Sequence, residues 1–151
     1  MKIISFCRYV TIATALLLSA CATTNSPSSS EQDKGKWNDI GLSASGNIRY
    51  ELDVNSIKRQ GDTVEYRNRK IIIDPNVQYY RNTPVYKTAL STTLMDCRQK
   101  TFRVLEVELY NNNHELLRED HFSETDLRPM NITKGSAAEQ EYQTVCHHPD
   151  K

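Results

Sequence analysis

The clearest strand in the chain is TFRVLEVELY, which runs from Thr101 to Tyr110. Its alternation of apolar and polar residues is typical of a half-buried β-strand, with two faces that differ in character. We expect one face to carry Arg103, Leu105, Val107 and Leu109 and the other Glu106, Glu108 and Tyr110. Residues 111–113 are three asparagines, which favour a turn, so residues 114–122 are predicted to return as an antiparallel strand.

Three earlier segments carry the same kind of signal. Residues 47–53 alternate, residues 63–73 are rich in β-branched side chains after the turn Gly61-Asp62, and residues 86–97 have a strand-like mixture. The connections between these strands are short, which indicates hairpins rather than crossovers. The sequence therefore predicts an antiparallel sheet of about five to six strands.

One helix is expected, near the C-terminus. Ser136 and Glu139 have the spacing of a capping box, and Pro149 ends the segment. An apolar stripe with helical spacing follows the cap and consists of Ala138, Tyr142, Val145 and Cys146. A helix of about three turns is marginal alone and needs the sheet to lie on. The predicted fold class is therefore α+β, with one C-terminal helix packed on an antiparallel sheet.

The N-terminus has the features of an export signal. Lys2 and Arg8 precede an apolar stretch that is too short to span a bilayer and that ends in Leu18-Ser19-Ala20-Cys21. This ending resembles the lipobox of bacterial lipoproteins, which implies cleavage after residue 20 and lipidation of Cys21. Lipid on one cysteine would anchor the protein to a membrane that it does not span. Because Ala22 replaces the aspartate of inner-membrane retention signals, we expect the bacterial outer membrane.

The segment after Cys21 is predicted to be a tether. Residues 22–36 contain no apolar side chain larger than alanine, so they cannot bury enough surface to offset the entropy of ordering. The expected organisation is a signal peptide over residues 1–20, a lipidated flexible tether over 21–36 and a folded domain over 37–148.

Two cysteines remain for the folded domain once Cys7 has left with the signal and Cys21 is lipidated. Cys97 ends a predicted strand and Cys146 lies on the stripe of the helix. Two cysteines in an exported chain are expected to oxidise together, which would clamp the helix to the sheet. The alternative is a pair of free, buried thiols.

Composition and motifs exclude several functional classes. The chain has 19 basic and 19 acidic side chains, which argues against a nucleic-acid binder. It has no Gly-x-Ser-x-Gly elbow and no glycine-rich phosphate loop, so we predict no catalytic residue, no cofactor and no enzymatic activity. His147 and His148 adjoin Cys146, but a bridged cysteine cannot ligate a metal, and no metal site is expected.

Charge is distributed unevenly along the domain. Residues 37–103 hold eleven basic and seven acidic side chains, whereas residues 104–151 hold four basic and ten acidic. Such asymmetry can mark an interaction surface or can mean that the two halves pair across a sheet, and we favour the second explanation. The basic half contains a cluster of three candidate ligand-binding residues, Arg67, Arg69 and Lys70. Arg67 and Arg69 are expected on one strand face, where they either bind a ligand or pair with Glu106 and Glu108.

The domain resembles the surface-adhesin protein E family of bacterial lipoproteins. The resemblance rests on motifs whose order and spacing match, namely residues 37–41 (WNDIG), residues 50–57 (YELDVNSI), residues 95–98 (MDCR) followed by residues 101–103, and residues 136–146. It implies a surface binding module that adheres to host extracellular-matrix or serum proteins, since the founding member binds vitronectin, laminin and plasminogen. The alternative is a periplasm-facing envelope lipoprotein, or a lysozyme-inhibitor-like protein without an adhesive role.

The lipidation hypothesis predicts that Cys21→Ala abolishes incorporation of labelled palmitate and leaves the chain unprocessed or released. The sulfur of Cys21 would be the only attachment point for diacylglycerol, so no other residue should compensate. Palmitate labelling of the variant at the wild-type level would contradict the lipobox assignment.

Overall fold

The computed structural model describes residues 34–77, 80–123, 125 and 127–147. The strands have the bounds β1 Trp37–Leu42, β2 Ile48–Gln60, β3 Thr63–Ile72, β4 Thr88–Asp96, β5 Thr101–Tyr110, β6 Leu116–His121 and β7 Met130–Asn131. Helix α1 runs from Ala137 to Cys146, and a single 3-10 turn lies at Pro75–Val77. The predicted α+β class and the predicted helix are thus confirmed.

The sheet is an antiparallel meander in the order β1-β2-β3-β4-β5-β6, and β7 pairs with the beginning of β5. The two-residue turn between β2 and β3 places Gly61 at a φ of 59°, a conformation that glycine adopts without steric cost. β1 and β7 were not predicted from the sequence. β1 has the pattern WNDIGL, which lacks clean alternation, and β7 is only two residues long.

A β-bulge corrects the predicted faces of β5. Val104 pairs with Thr93 and Glu106 pairs with Thr92, so Leu105 is the extra residue and the alternation is reset there. Arg103 therefore lies on the opposite side of the sheet from Val107 and Leu109. The expectation that these three share a face was wrong, because sequence alternation cannot reveal an unpaired residue.

The hydrophobic core lies between the sheet and α1. Its fully buried members come from β2, β3, β4 and the helix and are Leu52, Val64, Tyr66, Met95 and Val145. Burying side chains of this size contributes about 1.5–3 kcal/mol each. The helix therefore depends on the sheet for its stability, as its short length predicted.

Both ends of α1 are fixed. Ser136 Oγ accepts the backbone N–H of Glu139 at 3.3 Å, and the Glu139 carboxylate accepts the N–H of Gly135 at 2.6 Å, which completes the predicted capping box. At the other end Cys146 is bonded to Cys97, which confirms the predicted disulfide. Arg59 donates to the carbonyl of Val145 at 2.7 Å and so satisfies a free helix-end acceptor.

The expected signal peptide and most of the expected tether, including Cys21, lie outside the described residues. Lys36 belongs to the folded part, because its N–H donates to Asp53 and its carbonyl accepts from Val54. Among the residues described, no helix is both long and apolar enough to cross a membrane.

The clamp predicts that the double variant Cys97→Ser, Cys146→Ser is less stable than wild type by about 4 kcal/mol. The bridge closes a loop with a sequence separation of 49 residues, which restricts the unfolded chain. Urea denaturation followed by circular dichroism measures the difference. Wild type treated with reductant should match the variant, and the helical signal should be lost before the sheet signal. Equal stability of all three samples would contradict the clamp.

Candidate functional site

The side of the sheet opposite α1 carries two rows of side chains that are polar or charged except for Leu90, and we call this side the open face. The cross-strand register places one row across β2, β3, β4 and β5 as Glu51, Arg69, Leu90 and Glu108. The second row, on the same four strands, is Asp53, Arg67, Thr92 and Glu106. The structure thus confirms that Arg67 and Arg69 share a face. In each row the arginine lies between a carboxylate on β2 and a carboxylate on β5.

Arg69 is held tightly within the fold. Its Nε donates to Glu51 Oε2 at 2.6 Å, and its guanidinium lies 4.3 Å from the ring centroid of Trp37. The side chains of Arg69 and Glu51 are only 18% and 11% exposed, so water screens this pair little. The expected alternative partners of Arg69, Glu106 and Glu108, lie two strands away, about 9 Å across the sheet. The neighbouring strand β2 supplies a carboxylate to Arg69.

Arg67 lies at the junction of two grooves on the open face. One groove, of about 320 Å³, extends over Leu90 and Glu108, and the other, of about 610 Å³, extends toward Lys34 and Ser56. Both are lined by Arg67, Thr92 and Glu106. Thr92 Oγ1 donates to the Glu106 carboxylate at 3.0 Å, which fixes the acidic side of the junction.

Lys70 is separated from the two arginines. It follows Arg69 by one residue and therefore points to the helix side of the sheet, where it lines a cavity with Glu141. The structure brings two of the three candidate ligand-binding residues together and places the third on the opposite face.

Trp37 was not identified as a site residue by the sequence, apart from its place in a family motif. Its position is set by Asp53, a buried carboxylate that accepts the N–H groups of Lys36 at 2.9 Å and Asn55 at 3.1 Å. A Cβ at Gly35 would lie 2.5 Å from the Asp53 carboxylate, so this close approach requires glycine. Asp53 thereby holds the chain so that the indole of Trp37 lies against Arg67 and Arg69, with centroid distances of 5.8 and 4.3 Å.

A second cluster lies at the β5–β6 side of the sheet. His121 Nδ1 is 3.3 Å from Glu106, and its Nε2 is 2.8 Å from Glu119. Ligand atoms of these three residues lie within 4.8 Å of one another, a separation that could hold a metal ion. Each ring nitrogen already has a carboxylate partner, so the contacts are explained by a cross-strand hydrogen-bonded cluster.

Glu141 was missed because it lies among apolar residues of the helix. It is 5% exposed, and Tyr66 donates its hydroxyl to Glu141 Oε2 at 2.6 Å. Burial raises the pKa of Glu141, and the same burial, with the adjacent carboxylate, raises the pKa of Tyr66 well above its usual value. The signal was present in the sequence, since Glu141 has helical spacing with Ala138 and Val145 and so shares their face.

The family model described as Surface-adhesin protein E matches residues 37–147. The chain therefore belongs to the surface-adhesin protein E family, which confirms the resemblance seen in the motifs. Membership implies a bacterial surface protein with a role of the adhesin type.

Two solved structures of protein E from Haemophilus influenzae are similar to this chain. One, in a second crystal form, has 13% identity and a TM-score of 0.48, and the match covers 72% of this chain and 86% of that one. The other, from a non-typeable strain, has 14% identity and a TM-score of 0.43, with coverages of 72% and 74%. No curated protein sequence matches the chain.

The buried carboxylate generates a pH prediction. Burial raises the pKa of Glu141 in the folded state above 4.5. Between 4.5 and the raised pKa, the folded chain therefore holds a proton that the unfolded chain has released. The free energy of unfolding falls as pH rises through this range. Glu141→Gln should remove this loss, so the variant gains stability relative to wild type between pH 4 and pH 8. Urea denaturation at several pH values measures it. The control Glu115→Gln changes an exposed carboxyl, and its free energy of unfolding should vary with pH as that of wild type does. The same pH dependence for Glu141→Gln as for wild type would contradict the assignment.

Proposed function

We propose that the protein is a lipid-anchored outer-membrane lipoprotein that binds a host extracellular-matrix or serum protein through its open face. The observation that carries the proposal is the family match over residues 37–147. Lipid attachment at Cys21 is supported by the lipobox sequence, and a tether of about 15 residues would place the domain roughly 20 Å from the membrane.

The open face supplies suitable chemistry for a protein partner. The junction at Arg67 combines a guanidinium, which offers forked donors for a carboxylate, with the acceptors of Glu106 and the hydroxyl of Thr92. A face that offers both charges favours a protein surface with complementary charges of both signs, and it gives specificity through the pairing of those charges. Lys70 lies on the other side and would not contact the same partner surface.

The roles of the two arginines are expected to separate. Arg67→Glu should weaken binding to vitronectin by about tenfold, because it replaces a donor with a like charge beside Glu106. Arg69→Glu should instead destabilise the fold by about 3 kcal/mol, because it places two poorly exposed carboxylates against each other. Binding of the full chain in detergent is measured by surface plasmon resonance across a salt series, and stability by urea denaturation. Arg128→Glu, at an exposed position that belongs to neither row, is the matched control.

Three results would reject the open-face proposal. They are the absence of binding by folded wild type, binding that neither salt nor Arg67→Glu changes, and an equal loss with Arg128→Glu. Protease treatment of intact cells tests the location separately. Digestion of the domain supports surface exposure, whereas complete protection favours the periplasm-facing envelope role.

A further inference from the structure

A second pocket lies on the helix side of the sheet, between the first turns of α1 and strands β3, β4 and β5. Its volume is about 240 Å³, and its polar lining includes Asn68, Lys70, Thr93 and Glu141. Phe102 and Val104 form an apolar wall. The open face and its grooves lie on the other side of the sheet, so this pocket is independent of the proposed adhesive surface.

Asn68 leaves one buried polar atom without a partner. The residue is 6% exposed, and its Nδ2 donates to Thr93 Oγ1 at 3.1 Å. Its carbonyl Oδ1 has no hydrogen-bond partner among the described residues. Buried side-chain oxygens in folded proteins are nearly always hydrogen-bonded, so an orphaned acceptor that lines a pocket indicates a donor that comes from outside the chain.

The same end of the pocket carries a negative charge. Glu141 lines it and accepts hydrogen bonds from Tyr66, at 2.6 Å on Oε2, and from the side chain of Asn68. A carboxylate has about four acceptor positions. Together with Asn68 Oδ1 it therefore forms an acceptor-rich end, which suits an ammonium group with its three donors.

The opposite charge lies at the helix N-terminus. Ser136, Ala137 and Ala138 line the pocket at the first turn of α1, where backbone N–H groups have no acceptor within the helix. Lys70 lines the same pocket from β3. A helix N-terminus and an ammonium group both favour a carboxylate. The pocket thus offers both acceptors and cationic donors, and Lys70 is near enough to Glu141 to offset part of the rise in pKa that burial causes in that carboxyl.

The apolar wall continues into a neighbouring cavity of about 310 Å³. Lys70, Ser91 and Val104 line both cavities, and the second one ends at Tyr80 and Tyr86, whose rings stack with centroids 6.0 Å apart. A ligand held by its charged groups between Glu141 and Lys70 can therefore extend an apolar or aromatic side chain along Val104 toward the two tyrosines.

We propose that this pocket binds a free α-amino acid with a large apolar side chain. The ammonium group is held by Glu141 and Asn68 Oδ1, the carboxylate by Lys70 and the first turn of α1, and the side chain by Phe102, Val104 and the tyrosine pair. A zwitterion matches both the acceptors and the cationic donors at once, whereas a simple amine or a simple carboxylic acid would leave one of the two sets unmatched.

The test titrates the full chain in detergent with phenylalanine at pH 7 by isothermal calorimetry. Phenylalanine amide and N-acetylphenylalanine, which lack the carboxylate and the ammonium group, should each bind at least about tenfold more weakly. Glu141→Gln and Lys70→Gln should weaken phenylalanine binding to a similar extent. Lys58→Gln, which changes an exposed lysine on the other side of the sheet, should leave binding unchanged.

Other outcomes overturn the proposal. One is no binding of phenylalanine at millimolar concentration. Another is binding of the two blocked derivatives that is as tight as that of phenylalanine. The third is binding of phenylalanine by the Glu141→Gln and Lys70→Gln variants that is as tight as that of wild type. Circular dichroism checks that each variant is folded. Should Glu141→Gln fail to fold, the exposed Lys70 variant and the two blocked derivatives on wild type decide the outcome without it.

Discussion

The structure depends on one constraint, which is that a ten-residue helix must cover a much larger sheet. At 1.5 Å per residue α1 spans about 15 Å, whereas the ten-residue strands β3 and β5 span about 33 Å each. The helix can bury only the part of one face near Leu52, Val64, Tyr66 and Met95. The disulfide and Arg59 hold its C-terminal end at that position, so its N-terminal end reaches only partway across the sheet. The cavity beside Asn68 lies at this N-terminal end of α1.

The uncovered side of the sheet follows a different physical rule. Among the described residues no helix or strand packs against the open face, so its charged side chains can retain contact with water, and its cross-strand pairs provide register rather than a core. Trp37 is the exception. It lies over the two arginines and converts Arg69 from a solvated cation into part of a poorly exposed ion pair with Glu51. The family role of a surface adhesin requires such an accessible face, and this sheet has one.

Much of this arrangement could be read from the sequence, and the failures have identifiable causes. The capping box at Ser136, the stripe ending at Cys146 and the pairing with Cys97 are local or compositional signals, and each was predicted. The prediction of which β5 residues share a face was wrong, because the bulge at Leu105 is set by pairing with β4. Alternation along one strand does not reveal such a bulge. Lys70 was grouped with Arg67 and Arg69 by nearness in sequence, although strand geometry separates adjacent residues. Glu141 was overlooked because a charged residue on an apolar stripe is assumed to point outward.

The two faces also differ in the kind of polar group that indicates a ligand. On the open face a charged group without a close partner is satisfied by water, and exposed ion pairs contribute little, so charges there allow a partner without requiring one. On the helix side water is largely excluded, and an acceptor such as Asn68 Oδ1 carries the full cost of desolvation. On the open face the corresponding atom is Trp37 Nε1, a buried donor that also has no hydrogen-bond partner among the described residues, so each side of the sheet has one polar atom that indicates a partner from outside.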